Sequence, residues 1–199
     1  MIKINNIEQL SEEWFALRAG TPSASNFDKI VTTKGASSKS NTKYMHTLAA
    51  ERVLGRKEDS YINAIMQRGI DLEPEAIKLF EMMQDVEVEK VALCYQDERK
   101  LFSCSPDGLL PDSGLEIKCP MMATHVGYLL ANKLPADYFQ QVHGSMFVTG
   151  AQSWHFMSYY PGLKPLILEV KRDEAFIGAL SFEIELFCKE LEITVDKIQ

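Results

Sequence analysis

Apolar positions recur along this chain at two different periods, and each change of period marks an element. Leu10, Trp14 and Leu17 fall on one side of a helix over residues 8–18. The run Thr21-Pro22-Ser23-Ala24-Ser25 breaks that pattern, and a short helix over residues 25–31 is predicted to follow with a serine as N-cap. Residues 32–42, TTKGASSKSNT, are small and polar and predict a mobile loop. A helix over 42–54 is closed by Gly55, and another runs over 61–83 with a kink expected at Pro74. Strands are predicted over 86–95, 100–105 and 114–119, the last entered through Asp112-Ser113-Gly114. Helices over 121–132 and 136–149, strands over 152–160 and 165–171, and a helix over 173–197 complete the pattern. This order predicts an α/β fold with a mixed central β-sheet flanked by helices. No repeat or long linker interrupts it, so one domain is expected over residues 1–199.

Within the third strand, Leu115, Ile117 and Cys119 alternate with Glu116 and Lys118. A strand sends successive side chains to opposite faces, so the acid and the lysine share one face. Their ordinary place would be in water. Nine residues earlier Asp107 sits in a Pro-Asp-Gly turn. If 101–105 and 114–119 were neighbours in one sheet, Asp107 would approach the face carrying Glu116 and Lys118. Two carboxylates brought together repel unless a cation lies between them. Mg²⁺ takes one or two carboxylates, with water and phosphate filling its other positions. A lysine beside such a site can position or deprotonate an attacking water, so the chemistry suggested is metal-assisted phosphodiester hydrolysis.

Composition narrows the alternatives. With 199 residues, 46% hydrophobic and 25% charged, the chain can build a sizeable core. No apolar run reaches the length of a membrane span, and MIKINNIEQLSEEWF lacks the layout of a signal peptide, so a cytoplasmic protein is expected. Cysteines 94, 104, 119 and 188 form no C-x-x-C pair, which argues for free buried thiols rather than zinc. The histidines show no metal-ligand spacing, and His125 and His143 are expected to pack or to lie on the surface. The net charge of −7 argues against a nucleic-acid partner until its distribution is considered. Residues 18–57 hold eight Lys and Arg against Asp28 and Glu51, an excess compatible with phosphate binding on one surface of an otherwise acidic body.

The spacing of Pro-Asp, then acid-x-Lys, is that of the PD-(D/E)xK nucleases, and the run CSPDGLLPDSGLEIKCP at 104–120 resembles the core of the lambda-type phage exonucleases, the YqaJ-like viral recombinase family. Three further segments are similar to that family in order and spacing. They are Trp14-x-x-x-Arg18-x-Gly20 with Ser23-Ala24-Ser25, then Gly69-x-x-x-Glu73-x-x-Ala76, then Gln141-Val142 with Ser145-Met146-x-Val148-Thr149. The resemblance implies a restriction-endonuclease-like core and an enzyme that resects linear double-stranded DNA from 5′ to 3′, yielding mononucleotides and a 3′ single strand. It implies Mg²⁺, two ions per site with Mn²⁺ as a substitute, held by Asp107, Glu116, Glu73 and the carbonyl of Ile117. Lys118 would orient or activate water, and Gln141 would lie at the edge of the site. Glu75 rivals Glu73, and Gln140 rivals Gln141. Arg18, Ser23 and Ser25 would hold a 5′-phosphate; without the motif, Arg18 would pair with Glu12 or Glu13 on its own helix. The resemblance further implies a homotrimeric ring, a single-strand annealing protein as partner, and a phage or prophage origin in a bacterial host. Cys188 stands alone near the C-terminus, against the branch with an iron–sulfur cluster. A PD-(D/E)xK endonuclease, a RecB-type nuclease and a non-catalytic DNA-end-binding protein are the alternative readings.

Overall fold

A computed structural model describes residues 1–57 and 64–199. Two sheets share the strands. Strands β1 (Ile2–Ile4), β2 (Leu93–Tyr95) and β3 (Ser103–Cys104) form an antiparallel sheet in that order. Strands β4 (Gly108–Leu109), β5 (Ser113–Lys118), β6 (Ser153–Ser158) and β7 (Leu166–Lys171) form the second, with β5 and β6 parallel and the other pairs antiparallel. The helices are α1 (Glu12–Arg18), α2 (Asn41–Leu54), α3 (Ala64–Gln84), α4 (Met122–Ala131), α5 (Phe139–Thr149) and α6 (Glu174–Ile198). The expected start of α3 near Tyr61 lies outside the described residues, and the helix runs on through Pro74.

Alternation in β5 decides what covers each face. Leu115 and Ile117 join Ala76, Ile77 and Phe80 of α3 in one core cluster. The opposite face belongs to the larger cluster, where Phe156, the β6 partner of Glu116, packs with Val142 and Met146 of α5 and with Leu180 and Ile184 of α6. Glu116 is therefore in the interior and only 1% exposed, which overturns the reading of its charge as solvated. His125 is buried too, its ring nitrogens meeting Ser158 Oγ at 2.8 Å and the Lys164 carbonyl at 3.0 Å, and His143 is buried against Phe139 and Phe176. All four cysteines are free, three buried and Cys119 half-buried.

Four expectations change. Residues 86–95 do not form one strand: Glu89 bridges Leu109 of the second sheet, Ala92 then donates to Ile4 of the first, and only Leu93–Tyr95 is a strand. The extended segment is divided because its partners change from one sheet to the other. The strand over 100–105 shrinks to Ser103–Cys104, since Lys100 closes a turn at φ 52° with its N–H on the Asp97 carbonyl. Strand β3 is also not in the sheet of β5, so the sheet neighbourhood assumed for Asp107 does not exist. The loop expected to be mobile over 32–42 is tied back on itself. Val31 bridges Ser37, Thr32 receives Gly35 and donates to Ala36, and Ser38 donates to Ile30, which makes a closed turn.

Candidate active site

Asp107 reaches Glu116 through a hairpin rather than across neighbouring long strands. Gly108 and Leu109 pair with Leu115 and Gly114, and the Asp107 N–H donates to the Leu115 carbonyl at 3.2 Å. The side chain then turns back, and Asp107 Oδ2 accepts the Ile117 N–H at 2.6 Å. Glycine is required after the aspartate because a Cβ at Gly108 would stand 2.1 Å from Val88 Cγ1. At this cleft Ile117 is engaged through its N–H.

The two oxygens of Glu116 have different roles. Oε1 accepts from Lys118 Nζ and, at 2.6 Å, from Gln141 Nε2 on α5. Oε2 is buried without a hydrogen-bond partner. An orphaned carboxylate oxygen costs its full desolvation unless a cation or donor meets it. The surroundings sharpen that demand. Desolvation in the cleft and the charge of Glu116 push the Asp107 carboxyl well above the ordinary range, with Glu73 adding to the effect and Lys118 opposing it. Burial likewise raises Glu73, while Lys90 and Lys118 pull it down and Glu116 raises it. Burial alone would lower the Lys118 pKa, but Glu116 and Asp107 outweigh it and the net shift is upward. Lys118 is thus an ammonium and a donor, with the Tyr138 ring 5.2 Å from its Nζ.

The two pairs of rivals have different surroundings. Glu73 lines a cavity of about 350 Å³ with Asp107, Lys90, Gln9 and Asn5. Glu75 instead accepts the Tyr159 hydroxyl at 2.5 Å. Gln141 reaches Glu116, whereas Gln140 is buried and donates to the Val31 carbonyl at 3.2 Å. Arg68 fastens α3 to the end of β5 by donating to the carbonyls of Cys119 and Pro120 at 2.7 and 3.1 Å. Among the described residues no three His, Cys, Asp or Glu side chains are grouped closely enough to hold a metal ion by themselves. The donor set nevertheless fits a hard cation that takes one or two carboxylates and fills its remaining positions with water and phosphate, because Glu116 Oε2 is orphaned beside a strained carboxyl cluster.

A second cluster lies nearby. Helix α1 is capped by Ser11, whose hydroxyl accepts the Trp14 N–H at 3.2 Å, and it ends at Arg18, whose guanidinium lies 4.3 Å from the Trp14 ring centre. Arg18 does not pair with Glu12 or Glu13. Its Nη1 donates to Ser105 Oγ at 2.7 Å, and its Nη2 to Ser23 Oγ at 3.0 Å and Ser25 Oγ at 3.4 Å. The side chain is 7% exposed, and its Nε has no partner. Ser23 precedes a 3-10 helix, Ala24–Lys29, in place of the short helix expected over 25–31, and its hydroxyl serves Arg18 instead of capping. Gly20 follows at φ 65°, with its N–H on Glu51 Oε2 at 2.9 Å and its carbonyl accepting Arg52 Nε at 2.8 Å. A Cβ there would stand 2.1 Å from Arg52 Cγ, so the glycine lets the chain turn against α2. Sequence reasoning missed Ser105, Lys90 and Tyr138. Ser105 stood in plain view two residues before Asp107, but alternation cannot show which neighbour a serine faces.

Fold and site define the class first: a mixed α/β protein with an acid–lysine cleft beside an arginine ringed by serines, a pairing suited to phosphate. Residues 13–152 match the YqaJ-like viral recombinase domain, and the chain belongs to that family. It is similar to the solved alkaline exonuclease LHK-Exo from Laribacter hongkongensis, with 33% identity and a TM-score of 0.85 over 94% of this chain and 96% of that one. The complex of LHK-Exo with dAMP matches with the same figures. A phage-related exonuclease from Haemophilus somnus 129PT shares the fold, with 15% identity and a TM-score of 0.71 over 90% of this chain and 96% of that one. No curated protein sequence matches. Family and fold support a nuclease role, as the motifs implied. Among the described residues no helix is long and apolar enough to cross a membrane.

Proposed function

We propose that the chain is a metal-dependent exonuclease that degrades linear duplex DNA from 5′ to 3′, releasing mononucleotides and leaving a 3′ single strand for phage-type recombination. One observation carries this reading: Ser105, on Arg18, and Asp107, on the acid cleft, are two residues apart. Two residues of chain span at most about 7 Å, close to the step between consecutive phosphates of one strand. A terminal 5′-phosphate seated on Arg18, Ser23, Ser25 and Ser105 therefore brings the next phosphate to Asp107 and Glu116. Hydrolysis there frees one nucleotide, and the complex of LHK-Exo with dAMP accords with a product of that size.

Asp107 and Glu116 would hold Mg²⁺, with Glu73 and the Ile117 carbonyl completing the set for two ions and Mn²⁺ as a substitute. Bound there, the metal would supply Lewis-acid neutralisation of charge at the scissile phosphate. The chain supplies the rest. Arg18 offers a forked donor to the terminal phosphate and fixes the register of the strand. Lys118, held on Glu116 Oε1, would orient or activate the attacking water. Gln141 holds Glu116 Oε1, leaving Oε2 free of protein partners for a cation. The partners on this reading are linear duplex DNA, two further copies of the chain in a ring, and a single-strand annealing protein, all in the bacterial cytoplasm.

The test uses linear duplex labelled at one 5′ end, with and without Mg²⁺, beside closed circular DNA and Lys118→Ala. Mononucleotide release from the linear substrate alone, dependent on Mg²⁺ and lost in the variant, is expected. Cutting of circles would make the protein an endonuclease, and end binding without any cutting would make it a binding module.

A further inference from the structure

The excess of lysine and arginine over residues 18–57 is not used up by the Arg18 cluster. Asn26 Nδ2 donates to Ser23 Oγ and Ser25 Oγ at 3.4 Å each, and Asn26 Oδ1 accepts Lys29 Nζ at 2.7 Å. Arg18 and Lys29 therefore stand on opposite sides of one group of hydroxyls and an amide. On the Lys29 side lies a cavity of about 420 Å³ that Lys43, Lys57, Tyr44 and Ser23 also line. Lys43 and Lys57 extend into an adjoining cavity that adds Arg56 and His46. Two acids border the first cavity. Glu51 is buried and accepts the Gly20 N–H, and Asp28 is exposed. Neither is ion-paired with Lys29, Lys43 or Lys57 among the described residues. Lys57 is half-buried; burial chiefly lowers its pKa, with Arg18 and Lys29 adding to the shift and Glu51 opposing it.

We infer that this cavity is a second phosphate site, holding a backbone phosphodiester of the strand that is not cut. The inference rests on the proposed function. There the cut strand ends at Arg18 and runs from it toward Asp107, so it offers no further phosphate on the Lys29 side. The anions that can reach that side are phosphates of the complementary strand, or an oligophosphate extending a 5′ end. Both are phosphate, and the cations present fit either chemically; a duplex end brings the former with it. The site also gives the basic segment a task distinct from the terminal pocket, namely to tell a duplex end from a single strand.

The test measures binding without cleavage, in chelator, of a 5′-phosphorylated blunt duplex and of its 5′-phosphorylated single strand across a salt series. Wild type is compared with Lys43→Ala/Lys57→Ala and with Lys43→Arg/Lys57→Arg. The alanine pair is expected to weaken duplex binding by about 10-fold and to flatten its log–log salt slope by about 1, for the one phosphate released. Single-strand binding should be unchanged, and the arginine pair should restore the duplex slope. An unchanged duplex slope, or an equal loss on the single strand, overturns the inference. So does a duplex that inorganic tripolyphosphate displaces far better than phosphate from wild type but not from the alanine pair, because the site then takes an oligophosphate. Failure of the functional reading is seen separately, as wild-type protein that binds duplex ends and releases no nucleotide.

Discussion

The acid cleft and the arginine–serine cluster are two residues apart along the chain and opposite in their electrostatic condition. At the cleft Glu116 pairs with Lys118 through Oε1 alone, the Asp107 and Glu73 carboxyls are raised, and Glu116 Oε2 has no partner. At the cluster a buried guanidinium is surrounded by neutral hydroxyls, and Nε has no partner. One region leaves a carboxylate oxygen unpartnered and the other a guanidinium nitrogen. A protein that needed only to fold would gain nothing from leaving Glu116 Oε2 and Arg18 Nε buried without partners. Keeping them so costs stability and leaves each poised for a ligand of the opposite sign, as expected of a functional site.

The largest effect should come from the cleft. Lys118→Ala is expected to lower nucleotide release from linear duplex by on the order of 10²–10³-fold, the range for removing a preorganised donor at developing charge. Binding of the duplex end should persist, because the arginine cluster is untouched. Initial rates on a 5′-labelled substrate read the first effect, and a binding isotherm in chelator the second. A variant rate within a small factor of wild type would move the reaction elsewhere.

The next effect breaks the other side of the comparison. Arg18→Ala should erase the preference for a 5′-phosphate over a 5′-hydroxyl end, a loss of about 10-fold to 100-fold in relative kcat/KM for a charge-assisted contact. Arg18→Lys should recover little of it, because Ser105 and Ser23 are met by separate nitrogens of one planar fork. Equal use of both ends by the wild type would remove the terminal phosphate from the cluster.

The unequal legibility of these two regions has a physical cause. The alternation in Leu115–Cys119 placed Glu116 and Lys118 on one face, and β5 keeps that register with β6 throughout. Periodicity could not say that this face was interior, because burial depends on α5 and on Phe156, far away in sequence. The route of Asp107 was misjudged for a related reason. Strand β4 has only Gly108 and Leu109, too few residues for any period to register. The split of 86–95 between two sheets escaped notice because an extended segment reads the same whichever partner it meets. Strand β1 was missed for the same brevity. Arg18 was harder still, since the sequence alone favoured pairing with Glu12 or Glu13, and only the family motif pointed to the serines.

A finer test separates adjacent residues. Gln141→Ala should slow release by about 10-fold, the scale of one hydrogen bond to a charged group, with little change in melting. Gln140→Ala should leave the rate alone and cost about 1 kcal/mol through the lost bond to Val31. Steady-state kinetics and denaturant unfolding on the two variants distinguish them, and exchanged phenotypes would mean that α5 is turned by one residue relative to the cleft.

The smallest effect is the one most specific to the cleft, because it predicts a gain. Desolvation and Glu116 raise the Asp107 carboxyl above its ordinary value, so the folded protein holds a proton that the unfolded chain has already released. That contribution to stability is fully present below the unfolded pKa and is lost as pH rises through the folded one. Metal-free wild type should accordingly lose stability on the alkaline side. Asp107→Asn carries no charge to bury, and its amide oxygen can still accept the Ile117 N–H. In chelator at about pH 8 the variant should melt higher than wild type by about 3 °C, and at about pH 4 the two should converge. Adding Mg²⁺ should raise the wild type at the alkaline pH and leave the variant nearly unmoved, closing or reversing the gap. If the variant never exceeds wild type, the carboxyls are not in conflict, and the contrast with the arginine cluster loses its acid half.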